Sequence, residues 1–187
     1  MGIYKDVMST LVRVLAADNI DNSTKQSWQK LIDADLRQGG TGSSLSVRDK
    51  FDYDCCLYAL LHRQLEPAQW DVLVAKYSTH KANKVAAIGR LVARMVSPAP
   101  QLFIYKALTA WAIPKLKGVQ TGKRSTDMIV LPAEFYDMNT WDMEGKPEST
   151  RRRWKTGIAK RLESLEESAV IYATEIFDRE EIFIDAA

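Results

Sequence analysis

The sequence has little cysteine and little histidine. Its only cysteines, Cys55 and Cys56, are adjacent in a chain of 187 residues. Neighbouring positions have poor geometry for a disulfide, and no third cysteine offers another pairing. A reduced, cytosolic compartment is the simple interpretation. His62 and His80 do not supply the CxxC or HxxxH spacing of a zinc site, so the sequence predicts no metal.

Long apolar runs and a large net charge are also missing. No run reaches the roughly 18 residues of a membrane span. Asp6 and Arg13 interrupt the apolar pattern at the N-terminus, which argues against a signal peptide. The glycine cluster at 39–42 lacks the Lys-Ser/Thr pair of a P-loop. The formal net charge is only +2, so only the distribution of charge, and not its sum, could indicate a polyanionic partner.

Helical periodicity runs through most of the chain. Apolar residues at helical spacing predict a helix over 3–17 and a second one over 24–36. The stretch RQGGTGSSLSV is the clearest flexible segment. The sequence therefore predicts an N-terminal helical hairpin at 1–38, a linker at 39–46, and a helical core domain at 47–187.

Two helices between 67 and 96 are separated by a short turn, with Val85, Ile88 and Leu91 predicted on the inward face of the second. This spacing fits a helix-turn-helix pair, and it also fits any helical hairpin. Further along, residues 129–131 suggest a short β element and Pro132 the start of a helix. The expected fold class is all-α, with one short β element and a long C-terminal helix.

The segment PESTRRRWKTGIAKRLESLEESA carries an unusual charge order. Its apolar stripe runs through Trp154, Ile158 and Leu162 to Tyr172, which predicts an amphipathic helix. Between 146 and 161 there are seven Lys or Arg residues and one acid, Glu148, whereas acids dominate from 163 onward. Cations at a helix N-terminus oppose the helix macrodipole. We therefore expect a compensating role, and contact with phosphate is a natural one, against the alternative of a solvated face with ordinary ion pairs.

The same segment resembles the recognition helix of sigma-factor region-4-like helix-turn-helix domains. The wider stretch from TAWAIPKLKG to PESTRRRW is similar to bacteriophage late-gene antitermination proteins of the Q type, over roughly residues 50–175. The resemblance implies a protein of the bacterial host cytoplasm. It binds double-stranded DNA beside a late promoter and loads onto RNA polymerase with its sigma factor, so that the polymerase reads through terminators. One departure is the absence of the CxxC zinc motif that some members carry.

The resemblance assigns DNA contacts to the start of the last helix, and the charge pattern adds further cations. The full predicted set for DNA is Ser149, Thr150, Arg151, Arg152, Arg153, Lys155, Lys160, Lys123 and Arg124. Lys115 and Lys117 are the candidates for contact with polymerase or RNA. The sequence leaves open the oligomeric state, the number of copies on DNA, and whether the 67–96 pair or only the 148–172 helix reads DNA.

Other classes of function have less support in the sequence. Asp137, Asp142 and Glu144 could gather Mg²⁺ in an enzyme, but they lie in a turn rich in helix-capping residues. Only His62 and His80 could serve as the histidine of a nucleophile–His–acid triad, so a triad has little support. The sequence thus predicts no enzyme and no cofactor. A small terminase subunit, or another helix-turn-helix regulator such as a repressor, remains the alternative function.

Overall fold

A computed structural model describes residues 6–21, 47–115 and 129–182. These residues contain helices and no strand, which confirms the predicted all-α class. The α-helices are α1 (Val7–Asp21), α2 (Val47–Gln64), α3 (Pro67–Tyr77), α4 (Lys81–Arg94), α5 (Gln101–Ala112) and α6 (Glu148–Arg179). The predicted helix at 24–36 and the linker at 39–46 lie outside the described residues. Among the described helices, none is long and apolar enough to cross a membrane.

Proline and capping side chains set most of the helix ends. Pro67 is the first residue of α3, where a missing N–H costs nothing. His80 precedes α4, and its Nδ1 accepts a hydrogen bond from the Asn83 amide at 3.2 Å. Helix α5 ends before Pro114, which cannot continue the hydrogen-bond ladder. The carbonyl of Pro147 accepts hydrogen bonds from the amides of the first turn of α6.

The segment before α6 differs from the sequence prediction. Residues 129–132 have no regular secondary structure, so the expected β element is not seen there. The helix expected from Pro132 is instead two short 3₁₀ helices, Ala133–Tyr136 and Met138–Thr140. Asp137 separates them because its backbone is extended (φ −78°, ψ 105°). Its carboxylate then caps the second turn by accepting the Asn139 amide at 2.9 Å.

The chain divides into two compact units, which are described separately. One unit comprises residues 1–66 and 170–187, and the other comprises 67–169. In the first unit α1 packs against α2. Arg13 Nε donates to Asp54 Oδ2 at 2.8 Å, and Asp54 is buried. The predicted hairpin at 1–38, linker at 39–46 and domain at 47–187 stay predictions, because residues 22–46 lie outside the described part of the chain.

The core of the 67–169 unit is built around Phe103 on α5. Its ring meets Trp141 edge-on at 5.4 Å between centroids and Trp154 at 5.5 Å. Trp141 is fully buried, and its indole Nε1 donates to the Phe135 carbonyl at 2.7 Å. Because Trp154 lies in the second turn of α6, this aromatic cluster fixes the basic start of that helix against α5.

Candidate nucleic-acid interface

The three consecutive arginines at the start of α6 do not form one patch. Consecutive side chains on an α-helix point about 100° apart. Arg151 is half-buried, with Nη1 at 3.4 Å from the Asn139 carbonyl and a buried Nε that has no partner among the described residues. Arg152 donates from Nε and Nη2 to Glu148 Oε1 at 2.9 and 2.6 Å. Arg153 is exposed and makes no hydrogen bond or ion pair with the rest of the described chain.

The neighbouring candidate residues have different surroundings. Ser149 is exposed, and Thr150 is half-buried. Lys155 is exposed, and its ammonium lies 5.2 Å from the centroid of the Trp141 ring. This cation–π contact holds the stem of Lys155 against the aromatic cluster without cancelling its charge. Of these three residues, only Lys155 offers a positive charge to a partner.

A second basic face lies further along α6. Arg153, Gly157, Lys160 and Ser164 follow one another at intervals of four, three and four residues, so they share one side of the helix. A Cβ atom placed on Gly157 would meet nothing within 4 Å, which means that this side is open. A partner could therefore approach the backbone closely between the two cations.

Arg161, beside this face, is fixed by a contact with another helix end. Its Nη1 donates to the carbonyl of Val96 at 2.5 Å. Val96 follows the last turn of α4 and is 73% exposed. A carbonyl oxygen does not neutralise a guanidinium, so the positive charge of Arg161 remains available at this position.

Two arginines on α4 were missed as site candidates from the sequence. Arg90 Nη2 lies 2.7 Å from Asp71 Oδ1, and Arg94 Nη1 lies 2.5 Å from Asp71 Oδ2. Asp71 is 2% exposed, so its burial is compensated by both cations. The hydrogen bond with Asp71 raises the pKa of Arg90, so the guanidinium stays charged. The one signal in the sequence was a single acid in the apolar stripe of α3, followed by two arginines four residues apart.

The remaining predicted cations belong to the segment that follows α5. Lys115 is exposed at the end of the described stretch. Lys117, Lys123 and Arg124 lie outside the described residues.

Of the three carboxylates of the enzyme alternative, Asp137 and Asp142 accept backbone amides, and Glu144 pairs with Lys146 at 3.4 Å. Asp142 is buried, and its two oxygens accept the amides of Glu144 at 3.0 Å and Lys146 at 2.6 Å. This turn closes at Gly145, whose φ of +67° suits glycine. Across the described part of the chain, no group of three or more His, Cys, Asp or Glu residues could hold a metal ion.

Two groups at the C-terminal end of α3 have strongly shifted pKa values. Burial lowers the pKa of Lys84 to about 8, while its ammonium donates to the carbonyls of Lys76 and Ser78 at 2.9 and 3.2 Å. Burial, and then a hydrogen bond to Glu166, raise the pKa of Tyr77. These groups close the C-terminal end of α3, where a cation favours the helix dipole.

The arrangement as a whole is a set of exposed, positively charged side chains on α4 and α6, with no assembled catalytic group in the residues that the structure describes. Such a set can bind anionic groups. No protein family, no curated protein and no solved structure matches this chain.

Proposed function

We propose that this protein binds double-stranded DNA through the cations of α6 and acts as a bacteriophage-type transcription antitermination factor. The observation that carries the proposal is the exposed positive charge between Arg151 and Arg161 in a chain whose net charge is only +2. Phosphate contact by Lys and Arg supplies most of the affinity of a protein for DNA.

The charge order of α6 supports a binding role over a stabilising one. In the first part of the helix only Glu148 offsets the cations, and it pairs with Arg152. Cations in this position are unfavourable for the helix dipole by a few tenths of a kcal/mol each. A helix selected only for stability would carry its acids first. The observed order has a physical rationale if the cations meet an external anion.

Antitermination is the finer part of the proposal, and it rests on the resemblance of the segment 115–154 to Q-type proteins. In that function the DNA site lies beside a late promoter, and a second surface touches RNA polymerase. The alternative is another DNA-binding regulator with a helix-turn-helix. It is favoured by the pair α3 and α4, which are joined by residues 78–80 alone.

A run-off transcription assay tests the proposal. The template carries a candidate late promoter followed by a terminator, and the readout is the fraction of transcripts that pass the terminator. Read-through that rises with added protein and requires the promoter-proximal DNA supports antitermination. Binding to that DNA without read-through would indicate a DNA-binding regulator of another kind. A separate measurement of mass in solution that shows a large ring would indicate a small terminase subunit.

The two surfaces can be separated in the same assay. Changing Lys115 and Lys117 together to Ala should keep DNA binding and remove read-through. The matched control changes the exposed Arg48 and Arg63 on α2 to Ala, which should affect neither. Lost DNA binding in the Lys115/Lys117 variant would place these two lysines in the DNA footprint.

A further inference from the structure

The contact between Arg161 and Val96 joins two groups of cations. Val96 lies two residues beyond Arg94, at the end of α4. Because Arg161 Nη1 donates to the Val96 carbonyl at 2.5 Å, the middle of α6 meets the C-terminal end of α4. Lys160 and Arg161 thus share a surface region with the last turn of α4. The start of α6, with Arg152, is two turns away along the helix.

The arginines of α4 are held in place by a buried anion. Asp71 lies beneath them and is 2% exposed, whereas the side chains of Arg90 and Arg94 are 49% and 45% exposed. Two guanidinium groups share one carboxylate, so a net positive charge remains. Each guanidinium has five N–H donors, and Asp71 accepts only some of them. The pair is therefore oriented in advance, and donors remain for an anion.

A cavity on α6 adds further donors. It is open to solvent, has a volume of about 410 Å³, and is lined by Lys160, Arg161, Ser164, Leu165 and Ser168. Ammonium, guanidinium and hydroxyl groups are the donors that bind phosphate oxygens. Glu163 and Glu167 are interspersed with these residues on α6 and are exposed.

We propose that Arg90, Arg94, Lys160 and Arg161 form a phosphate-binding surface for the backbone of duplex DNA. This inference rests on the proposed DNA binding and moves its main contacts from the three consecutive arginines to a composite of α4 and α6. Proteins that hold single strands stack bases on exposed aromatic rings. None of the five side chains lining the cavity is aromatic. Backbone contact to a duplex therefore fits better than contact to a single strand.

The test is fluorescence anisotropy with a labelled 30-base-pair duplex and a 30-nucleotide oligo(dT), titrated with the full chain from about 50 to 200 mM salt. The test variant is Arg94→Gln/Lys160→Gln/Arg161→Gln, in which Arg90 remains to pair with Asp71. Removing three phosphate contacts should reduce the slope of log K against log salt by about 2.7, at roughly 0.9 per contact. Binding at low salt should weaken at least about tenfold.

The control variant removes three positive charges from α2, as Arg48→Gln/Lys50→Gln/Arg63→Gln, and should change the slope by less than about one contact. If the test variant melts early, Lys160→Gln/Arg161→Gln replaces it, since that pair leaves the Asp71 contacts intact. The expected slope change is then about 1.8.

The failures are distinguishable. If the unchanged protein shows no salt-dependent binding to the duplex, the proposed function itself is wrong. If the unchanged protein binds the duplex, and the salt slope of the test variant equals that of the unchanged protein or of the control variant, the composite surface is wrong. DNA binding by the protein then still stands. Equal affinity for oligo(dT) and the duplex overturns the assignment to duplex DNA.

Discussion

The ammonium of Lys76 lies 2.5 Å from the carboxylate of Glu166, which joins the end of α3 to α6. The same ammonium lies 4.7 Å from the ring centroid of Trp111, and Tyr77 donates its hydroxyl proton to the other oxygen of Glu166. One carboxylate thus receives two donors from neighbouring residues of α3. The contact anchors α6 beyond the region of its basic residues.

We expect Glu166→Gln to lower the free energy of unfolding by about 1–2 kcal/mol. Hydrogen bonds to a charged group contribute about 1.5–3 kcal/mol, and the partial exposure of Lys76 reduces that value. Thermal and urea unfolding followed by circular dichroism measure the change. Glu167→Gln is the control because Glu167 is exposed, and its stability should stay within about 0.5 kcal/mol of the parent. Equal effects of the two changes would contradict the anchoring role.

The aromatic cluster predicts a larger effect at Trp154. This residue is 9% exposed and packs edge-on against Phe103. Trp154→Ala should destabilise the chain by about 3–5 kcal/mol, because it leaves a cavity beside the centre of the core. Trp154→Phe keeps an aromatic ring and should cost less than half as much. Urea unfolding compares the two variants, and similar losses would show that the aromatic contact contributes little.

The helices were largely predictable because their signals are local. Apolar periodicity predicted two helices between 67 and 96, and α3 and α4 lie within those bounds. The aromatic anchor at Trp154 also followed from the apolar stripe of α6. The expected helix after Pro132 failed because Asp137 interrupts it with an extended backbone. The Asp137 side chain caps the next turn by accepting the Asn139 amide, and this cap competes with continuation of the helix. The spacing of apolar residues does not reveal such a cap.

Periodicity also does not tell how far a neighbouring element covers a helix face. Val85 and Tyr172 were predicted inward, but they are 56% and 52% exposed. The candidate site had the same problem. The sequence predicted Arg151, Arg152 and Arg153 as DNA contacts around the start of α6, and helical geometry sends the three side chains in different directions. Asp71 holds Arg90 and Arg94 through a contact between two helices, and the spacing of these residues in the sequence does not tell which helices pack together.

The different surroundings of Arg152 and Arg153 predict different effects on DNA binding. Arg153→Gln should reduce the salt slope by about one contact, since this side chain is exposed and has no partner among the described residues. Arg152→Gln should change the slope less, because Arg152 is engaged by Glu148. Anisotropy titrations with the same duplex at several salt concentrations measure both. A larger effect of Arg152→Gln would mean that the ion pair opens when DNA binds.

The lowered pKa of Lys84 predicts how stability depends on pH. In the folded chain Lys84 releases its proton near pH 8, whereas in the unfolded chain it does so near 10.5. Between these values the unfolded state binds more protons, so the free energy of unfolding should rise as the pH increases above about 8. The raised pKa of Tyr77 acts in the opposite direction above its ordinary value of 10. The clean window for Lys84 is therefore pH 8 to 10.

Lys84→Met isolates this contribution. It removes the titrating amine and keeps an apolar stem of similar length, so the variant should lack the rise in melting temperature between pH 8 and 10. The variant also loses the donors to the carbonyls of Lys76 and Ser78, so the comparison uses the slope of the melting temperature with pH and not its absolute value. Lys81→Met is the control, since Lys81 is exposed in the same helix turn and should keep the rise. Parallel curves for the parent and Lys84→Met would mean that Lys84 keeps its proton through this range, and that its ammonium caps α3 in water rather than in a buried site.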